Sequence, residues 1–287
     1  MNSFKIKFTR FLFPLIILFS VLTAFATTNE SSEDECKRLL ARQELHRKKQ
    51  EIERLMYQLI TPNSRNFPWT PGESLEEARA EKEIDRLIGF DIFQLETQFD
   101  AKAGKFKDKP TEIGLAKWGS PQYTGWSSRY KNLLLLYAYL GIKAGDRIVD
   151  IGSGYGRPGF AIGYIYPGVN YTGYEIVTER VQSAQQLVLL NQLENIRFVE
   201  QDVSRSDFDI ESAQFYYMYD PVNDPTMKRV IAKIRAANRD KAFKIVLQLG
   251  GRGEYYQILK REFGEPTVIP FEVVAGRDFV IFSNKND

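Results

Sequence analysis

Val149-Asp150-Ile151-Gly152-Ser153-Gly154-Tyr155-Gly156, with Tyr174-Glu175 further along, decides the fold of this chain. An apolar strand runs into a turn of alternating glycines, and a second apolar strand ends in a carboxylate. Alternating glycines belong where a backbone turns tightly and lets a ligand approach its amides. A carboxylate at the tip of the neighbouring strand can accept both hydroxyls of a ribose. Together they point to a nucleoside bound at the ends of adjacent strands.

The pattern around that stretch is regular. Apolar residues Leu133, Leu134, Leu135, Leu136, Tyr137 and Leu140 predict a buried helix over 127–140, stopped by Gly141. Strands are then predicted at 147–151, 171–176, 196–201, 215–219 and 244–249, with helices at 158–165, 178–191 and 225–237 between them. Near-continuous apolar strands alternating with helices mean a doubly wound, mostly parallel α/β sheet covered on both faces. A helix over 255–263 leads to 267–274, the turn Ala275-Gly276-Arg277 and a strand at 279–283. That ending predicts a C-terminal antiparallel hairpin.

In an open α/β sheet, ligands bind beyond the carboxyl ends of the strands. Gly152, Gly154 and Gly156 follow the first strand, Glu175 ends the second, Asp202 the third, and Asp220-Pro221 the fourth. The stretch Gly154-Tyr155-Gly156-Arg157-Pro158-Gly159 also fits a G-x-G-x-x-G dinucleotide fingerprint, with Glu175 at a plausible distance. Three details count against NAD(P) or a flavin. Asp150 lies inside the strand end, where it can meet a cationic amino-acid moiety; Asp202 can accept from an adenine amino group; and the terminal hairpin is foreign to the usual dinucleotide sheet.

Composition narrows the chemistry. One cysteine, Cys36, excludes an intramolecular disulfide and a Cys-based zinc site. One histidine, His46, excludes a His-rich metal centre and a Ser-His-Asp triad in the main domain, so no metal is expected. A net charge of +2 does not indicate nucleic acid.

The N-terminal part divides into residues 1–26 and 27–110, ahead of a main domain at 111–287. Lys5, Lys7 and Arg10 precede an apolar run over 11–26 that closes on Ala24-Phe25-Ala26, reading as a secretory signal peptide or an uncleaved membrane anchor. Glu30, Glu33, Asp34 and Glu35 follow it, an asymmetry that places the bulk of the chain outside the cytoplasm. A start site upstream of the true one is the cytoplasmic alternative. Leu39, Leu40, Ile52, Leu55, Met56 and Leu59 recur at helical spacing over 31–59. His46, flanked by Arg47, Lys48 and Lys49, is expected on that helix's solvated surface. A proline-rich connector at 62–72 precedes a second helix opened by Ser74-Leu75-Glu76-Glu77, and 104–110 reads as a basic, flexible loop. This helical extension fits a lid, a dimer contact or a stalk equally well.

On these motifs the chain resembles the class I S-adenosylmethionine-dependent methyltransferases, over residues 123–282. The resemblance implies a Rossmann-like sheet of seven strands whose last is antiparallel. It implies that Asp150 and the loop of Gly152, Ser153, Gly154 and Gly156 hold the methionine part of S-adenosyl-L-methionine. Glu175 would bind the ribose, and Asp202 with Val203 would frame the adenine. The wording around Asp150 and Glu175 is also similar to the non-SET histone lysine methyltransferases. Asp220-Pro221-Val222-Asn223 departs from the Asn/Asp-Pro-Pro-aromatic tetrad, which puts a DNA adenine or glutamine-amide acceptor in doubt.

The expected activity is methyl transfer to an acceptor, small molecule or protein, that the residues do not name. With no histidine available, Asp220 is the best-placed base or substrate contact, and Tyr219 and Tyr123 follow. Arg157 either projects toward the substrate or makes a salt bridge. Trp118, Tyr123 and Trp126 either cover the cleft or anchor packing. The other readings are an exported binding module without turnover and an NAD(P)-dependent oxidoreductase.

Overall fold

A computed structural model describes residues 31–60, 75–92, 94–97, 108–111, 114–117, 128–219, 224–248, 253–269 and 279–284. The apolar run at 11–26, Trp118, Tyr123, Trp126, Asp220 and the 275–277 turn lie outside these residues. Among the described residues no helix is long and apolar enough to cross a membrane.

The chain divides into two compact units, Met1–Arg47 and Lys48–Asp287. Helix α1 (Ser31–Leu59) runs through the division. Leu39 and Leu40, in the first unit, are exposed, as are Cys36 and His46. In the second unit Ile52, Leu55, Met56 and Leu59 are buried, at the spacing that puts them on one helical face. They share an apolar cluster with Ile84 and Ile88 of α2 (Leu75–Ile88).

Where a basic loop is expected at 104–110, residues 108–110 are extended instead. Strands β1 (Asp108–Thr111) and β2 (Gly114–Lys117) pair antiparallel, from Asp108 opposite Lys117 to Thr111 opposite Gly114. No alternation of apolar and polar residues marks this ribbon, so its pairing was invisible to the usual strand signal.

The main sheet has seven strands in the order β5-β4-β3-β6-β7-β9-β8. Its members are β3 (Arg147–Ile151), β4 (Asn170–Glu175), β5 (Ile196–Glu200), β6 (Phe215–Tyr219), β7 (Lys244–Gln248), β8 (Thr267–Ile269) and β9 (Phe279–Ser283). The five strands from β5 to β7 are parallel, and β9 runs antiparallel to both β7 and β8. This is the expected Rossmann-like α/β sheet with an antiparallel C-terminal pair. The first strand in sequence, β3, lies between β4 and β6, so the chain turns left from it and later right. That reversal opens the crevice in which such sheets bind ligands.

Two apolar clusters follow from strand alternation. One contains Ile148, Tyr171, Tyr217 and Val246 and joins α1, α2, α3 (Tyr130–Leu140), α4 (Arg157–Ile165) and α5 (Thr178–Leu190). The other contains Val149, Ile151, Tyr216, Met218 and Leu247 and joins α6 (Asp224–Ala237) and α7 (Gly253–Phe263). The aromatic run of β6 is therefore core strand, with only Tyr219 half-buried at its end.

Candidate functional site

The glycine turn after β3 is built from left-handed backbone. Gly152, Gly154 and Gly156 have φ of 77°, 56° and 87°, a region L side chains enter at a cost of about 1–2 kcal/mol each. The Gly152 and Ser153 amides both donate to the Tyr174 carbonyl, at 2.8 and 3.0 Å, which ties the turn to the end of β4. Gly156 is then the N-cap of α4, with Pro158 in the first turn, where its missing N–H costs nothing. A Cβ on Gly156 would stand 2.1 Å from the ring of Phe198, and one on Gly173 would stand 2.7 Å from both that ring and the Ser153 side chain. Phe198 of β5 thus occupies the space that both glycines leave.

Glu175 closes the turn from the other side. Its Oε2 accepts the Gly154 amide at 2.9 Å, and its Oε1 accepts those of Ile176 at 2.8 Å and Val177 at 2.9 Å. The side chain is buried. A carboxylate offers about four lone-pair sites, and three backbone donors leave little of it for a ligand hydroxyl. The residue expected to grip a ribose is also the clasp between the two ligand-facing turns.

Asp150 lies beneath the turn. It is buried, and its Oδ2 accepts the hydroxyl of Tyr171 at 2.5 Å. Burial pushes its carboxyl up to about 7, against the pull of the Tyr171 hydrogen bond and with the Glu175 charge adding to the rise. The Asp150 charge also adds to the upward shifts, led by burial, of the Tyr137, Tyr171 and Tyr217 hydroxyls. No sequence motif marks Tyr171, although strand alternation puts it on this face.

Asp202 follows β5 in an Asx turn, its Oδ1 accepting the Ser204 amide at 2.9 Å and the Ser204 hydroxyl at 2.6 Å. Val203 beside it is buried. Both thus sit just beyond the carboxyl end of the strand paired with β4, next to Glu175. Tyr219 ends β6 on the side where Asp220 continues the chain; Asp220 itself lies outside the described residues. A buried polar trio lies on the same face of β6 and β7. Tyr217 Oη and Ser128 Oγ are 2.6 Å apart and lie 2.5 and 2.8 Å from Gln248 Oε1.

Arg157 makes a salt bridge rather than reaching outward. It pairs with Asp85 of α2, lies 5.6 Å over the Tyr130 ring, and Tyr130 donates to the same Asp85 at 3.0 Å. Burial alone would lower its pKa, but Asp85 and Tyr130 hold it above the ordinary value.

The residues fit an adenosyl amino-acid ligand. Among the described residues, Ser153 Oγ is buried in the glycine turn without a hydrogen-bond partner, an arrangement that a ligand's polar group would relieve. Carboxylates stand at the ends of β3 and β4 and just past β5. Among the described residues no group of His, Cys, Asp and Glu is disposed to hold a metal ion.

Residues 142–260 match the family described as a methyltransferase domain. No curated protein matches the chain. Among solved structures it is similar to the YcgJ protein from Bacillus subtilis, at 23% identity and a TM-score of 0.34, over 41% of this chain and 50% of that one. The chain thus spans about half the length of YcgJ. It is similar to a precorrin-6y C5,15-methyltransferase from Geobacter metallireducens, at 12% identity and a TM-score of 0.45, over 56% of this chain and 90% of that one. A third is an RNA methyltransferase from Salinibacter ruber, solved with S-adenosyl-L-homocysteine, at 15% identity and a TM-score of 0.43, over 56% and 95%. The match over 142–260 supports a methyltransferase domain with S-adenosyl-L-methionine as its cofactor.

Proposed function

We propose that the sheet and its helices form an S-adenosyl-L-methionine-dependent methyltransferase whose acceptor enters over the carboxyl ends of β6 and β7. The observation that carries this reading is the clasp of Glu175 onto the left-handed glycine turn at the switch point of the sheet. When bound, the cofactor supplies a methyl group made electrophilic by the positive sulfur.

The chain's own residues then divide the work. Ser153, whose hydroxyl is unmatched in the glycine turn, holds the amino-acid part, and Asp150, freed of its proton, complements the ammonium. Glu175 positions the ribose while keeping the turn closed, and Asp202 with Val203 frames the adenine. Tyr219, at the end of β6, is assigned to the acceptor, and Asp220, next in the sequence, is assigned the role of taking a proton if the acceptor carries one. Alignment and exclusion of water are the main demands on such a site, and alignment alone is worth ~7–11 kcal/mol.

The acceptor is a small molecule or a protein. The likeness of the Asp150 and Glu175 motifs to non-SET histone lysine methyltransferases is read as shared cofactor architecture, not shared substrate. Lys5, Lys7 and Arg10 ahead of the apolar run support export or membrane anchoring, which fractionation of cells expressing the full chain would test. Turnover is tested by incubating the full chain with S-adenosyl-L-methionine and fractionated small-molecule and protein pools. Acceptor-dependent release of S-adenosyl-L-homocysteine supports the reading. Its absence from every pool, with cofactor binding intact, favours a binding module.

A further inference from the structure

Glu96 lies outside every motif read from the sequence, on a single helical turn at 94–97. It is fully buried. Its Oε1 receives the Arg180 guanidinium, Nε and Nη2 each at 2.9 Å, and the Tyr155 hydroxyl at 2.9 Å. Arg180 also lies 5.8 Å over the Tyr155 ring. Tyr155 belongs to the glycine turn after β3, and Arg180 to the first turn of α5, three residues beyond the Val177 amide that Glu175 holds. One carboxylate oxygen from the extension therefore joins the two turns that flank the cofactor crevice. A second link runs parallel to it, from Asp85 of α2 to Arg157 at the start of α4.

We propose that Glu96 is a positioning residue for the cofactor, fixing the separation of the glycine turn and the Glu175 turn through Tyr155 and Arg180. This rests on the cofactor reading above. A ligand that touches both turns gains from having them held at the right distance, because the second contact then needs no further ordering. A ligand that touches only the Glu175 side gains nothing from it. The segments of the extension that carry Asp85 and Glu96 are thus a built part of the cofactor site.

The test is titration of the full chain with S-adenosyl-L-homocysteine and, separately, with adenosine, for wild type, Glu96→Gln and Tyr155→Phe. S-adenosyl-L-homocysteine spans both turns, and adenosine lacks the part that reaches the glycine turn. In Glu96→Gln, affinity for S-adenosyl-L-homocysteine is expected to fall about tenfold or more, the scale on which misplaced positioning groups act. In Tyr155→Phe the loss of one hydrogen bond is expected to weaken it about threefold. Adenosine affinity stays near the wild-type value in both. Equal losses for the two ligands, or no loss in either variant, would overturn the positioning role while leaving the cofactor reading in place. Wild type that binds neither ligand would overturn the cofactor reading itself. Should Glu96→Gln fail to fold, the ratio of the two affinities in Tyr155→Phe decides.

Discussion

The carboxylate of Glu175 holds the Gly154 amide at 2.9 Å, so the tip of β4 and the turn after β3 are one hydrogen-bonded unit. An amide cannot replace that carboxylate. In Glu175→Gln, whichever way the side chain is turned, its NH2 group faces a backbone N–H at Gly154 or those at Ile176 and Val177. We expect a stability loss of about 1–3 kcal/mol, the cost of a buried donor left unmatched, together with weakened cofactor binding. Urea unfolding alongside a cofactor titration measures both. Unchanged stability would show that the clasp does not form.

Asp150 makes stability fall with pH. Its carboxyl titrates at about 7 in the folded protein, against about 3.9 in an unfolded chain. The folded state therefore keeps a proton that the unfolded state has lost. The stabilisation from that proton is complete below about pH 4 and gone above about pH 7. Asp150→Asn is expected to remove this slope, which denaturant unfolding at pH 5, 6, 7 and 8 would resolve. Equal slopes for wild type and variant would contradict it.

Gly156→Ala meets two obstacles at once. The backbone is left-handed at φ 87°, and the new methyl falls 2.1 Å from the Phe198 ring. A loss of about 2 kcal/mol or more is expected from strain and overpacking together. Adding Phe198→Leu should recover the packing part and leave the backbone part. Thermal unfolding of the single and double variants measures the split.

Arg157→Met leaves Asp85 without its cation in a largely buried place. About 3 kcal/mol of destabilisation is expected, and Asp85→Leu in the same chain should recover most of it, because an apolar pair replaces a stranded charge. A double-mutant cycle on unfolding free energies reads this coupling directly.

Much of this was legible in the residues because it depends on local rules. Strand and helix spacing, the stop at Gly141 and the glycine turn are properties of short stretches, and the sheet that they predict is the one formed. The place of β3 between β4 and β6 is a property of the folded sheet that no single stretch carries. What sequence could not supply were partners distant along the chain. Nothing in Glu96 or Asp85 announces that they meet Tyr155 and Arg157, and the sequence alone leaves Arg157 between two roles that its ion pair with Asp85 decides. The sequence marks Glu175 for its ligand chemistry alone, because its grip on three backbone amides depends on how the turns fold together. The short ribbon at β1 and β2 escaped because Asp108, Lys109 and Pro110 carry no strand periodicity.

Every role proposed for the site residues depends on cofactor binding. Calorimetric titration of the full chain with S-adenosyl-L-methionine, with Glu175→Gln beside it, tests this most directly. Binding of micromolar strength, about −8 kcal/mol, is expected for wild type and much weaker binding for the variant. A folded wild-type protein that takes up no S-adenosyl-L-methionine at millimolar concentration would contradict it.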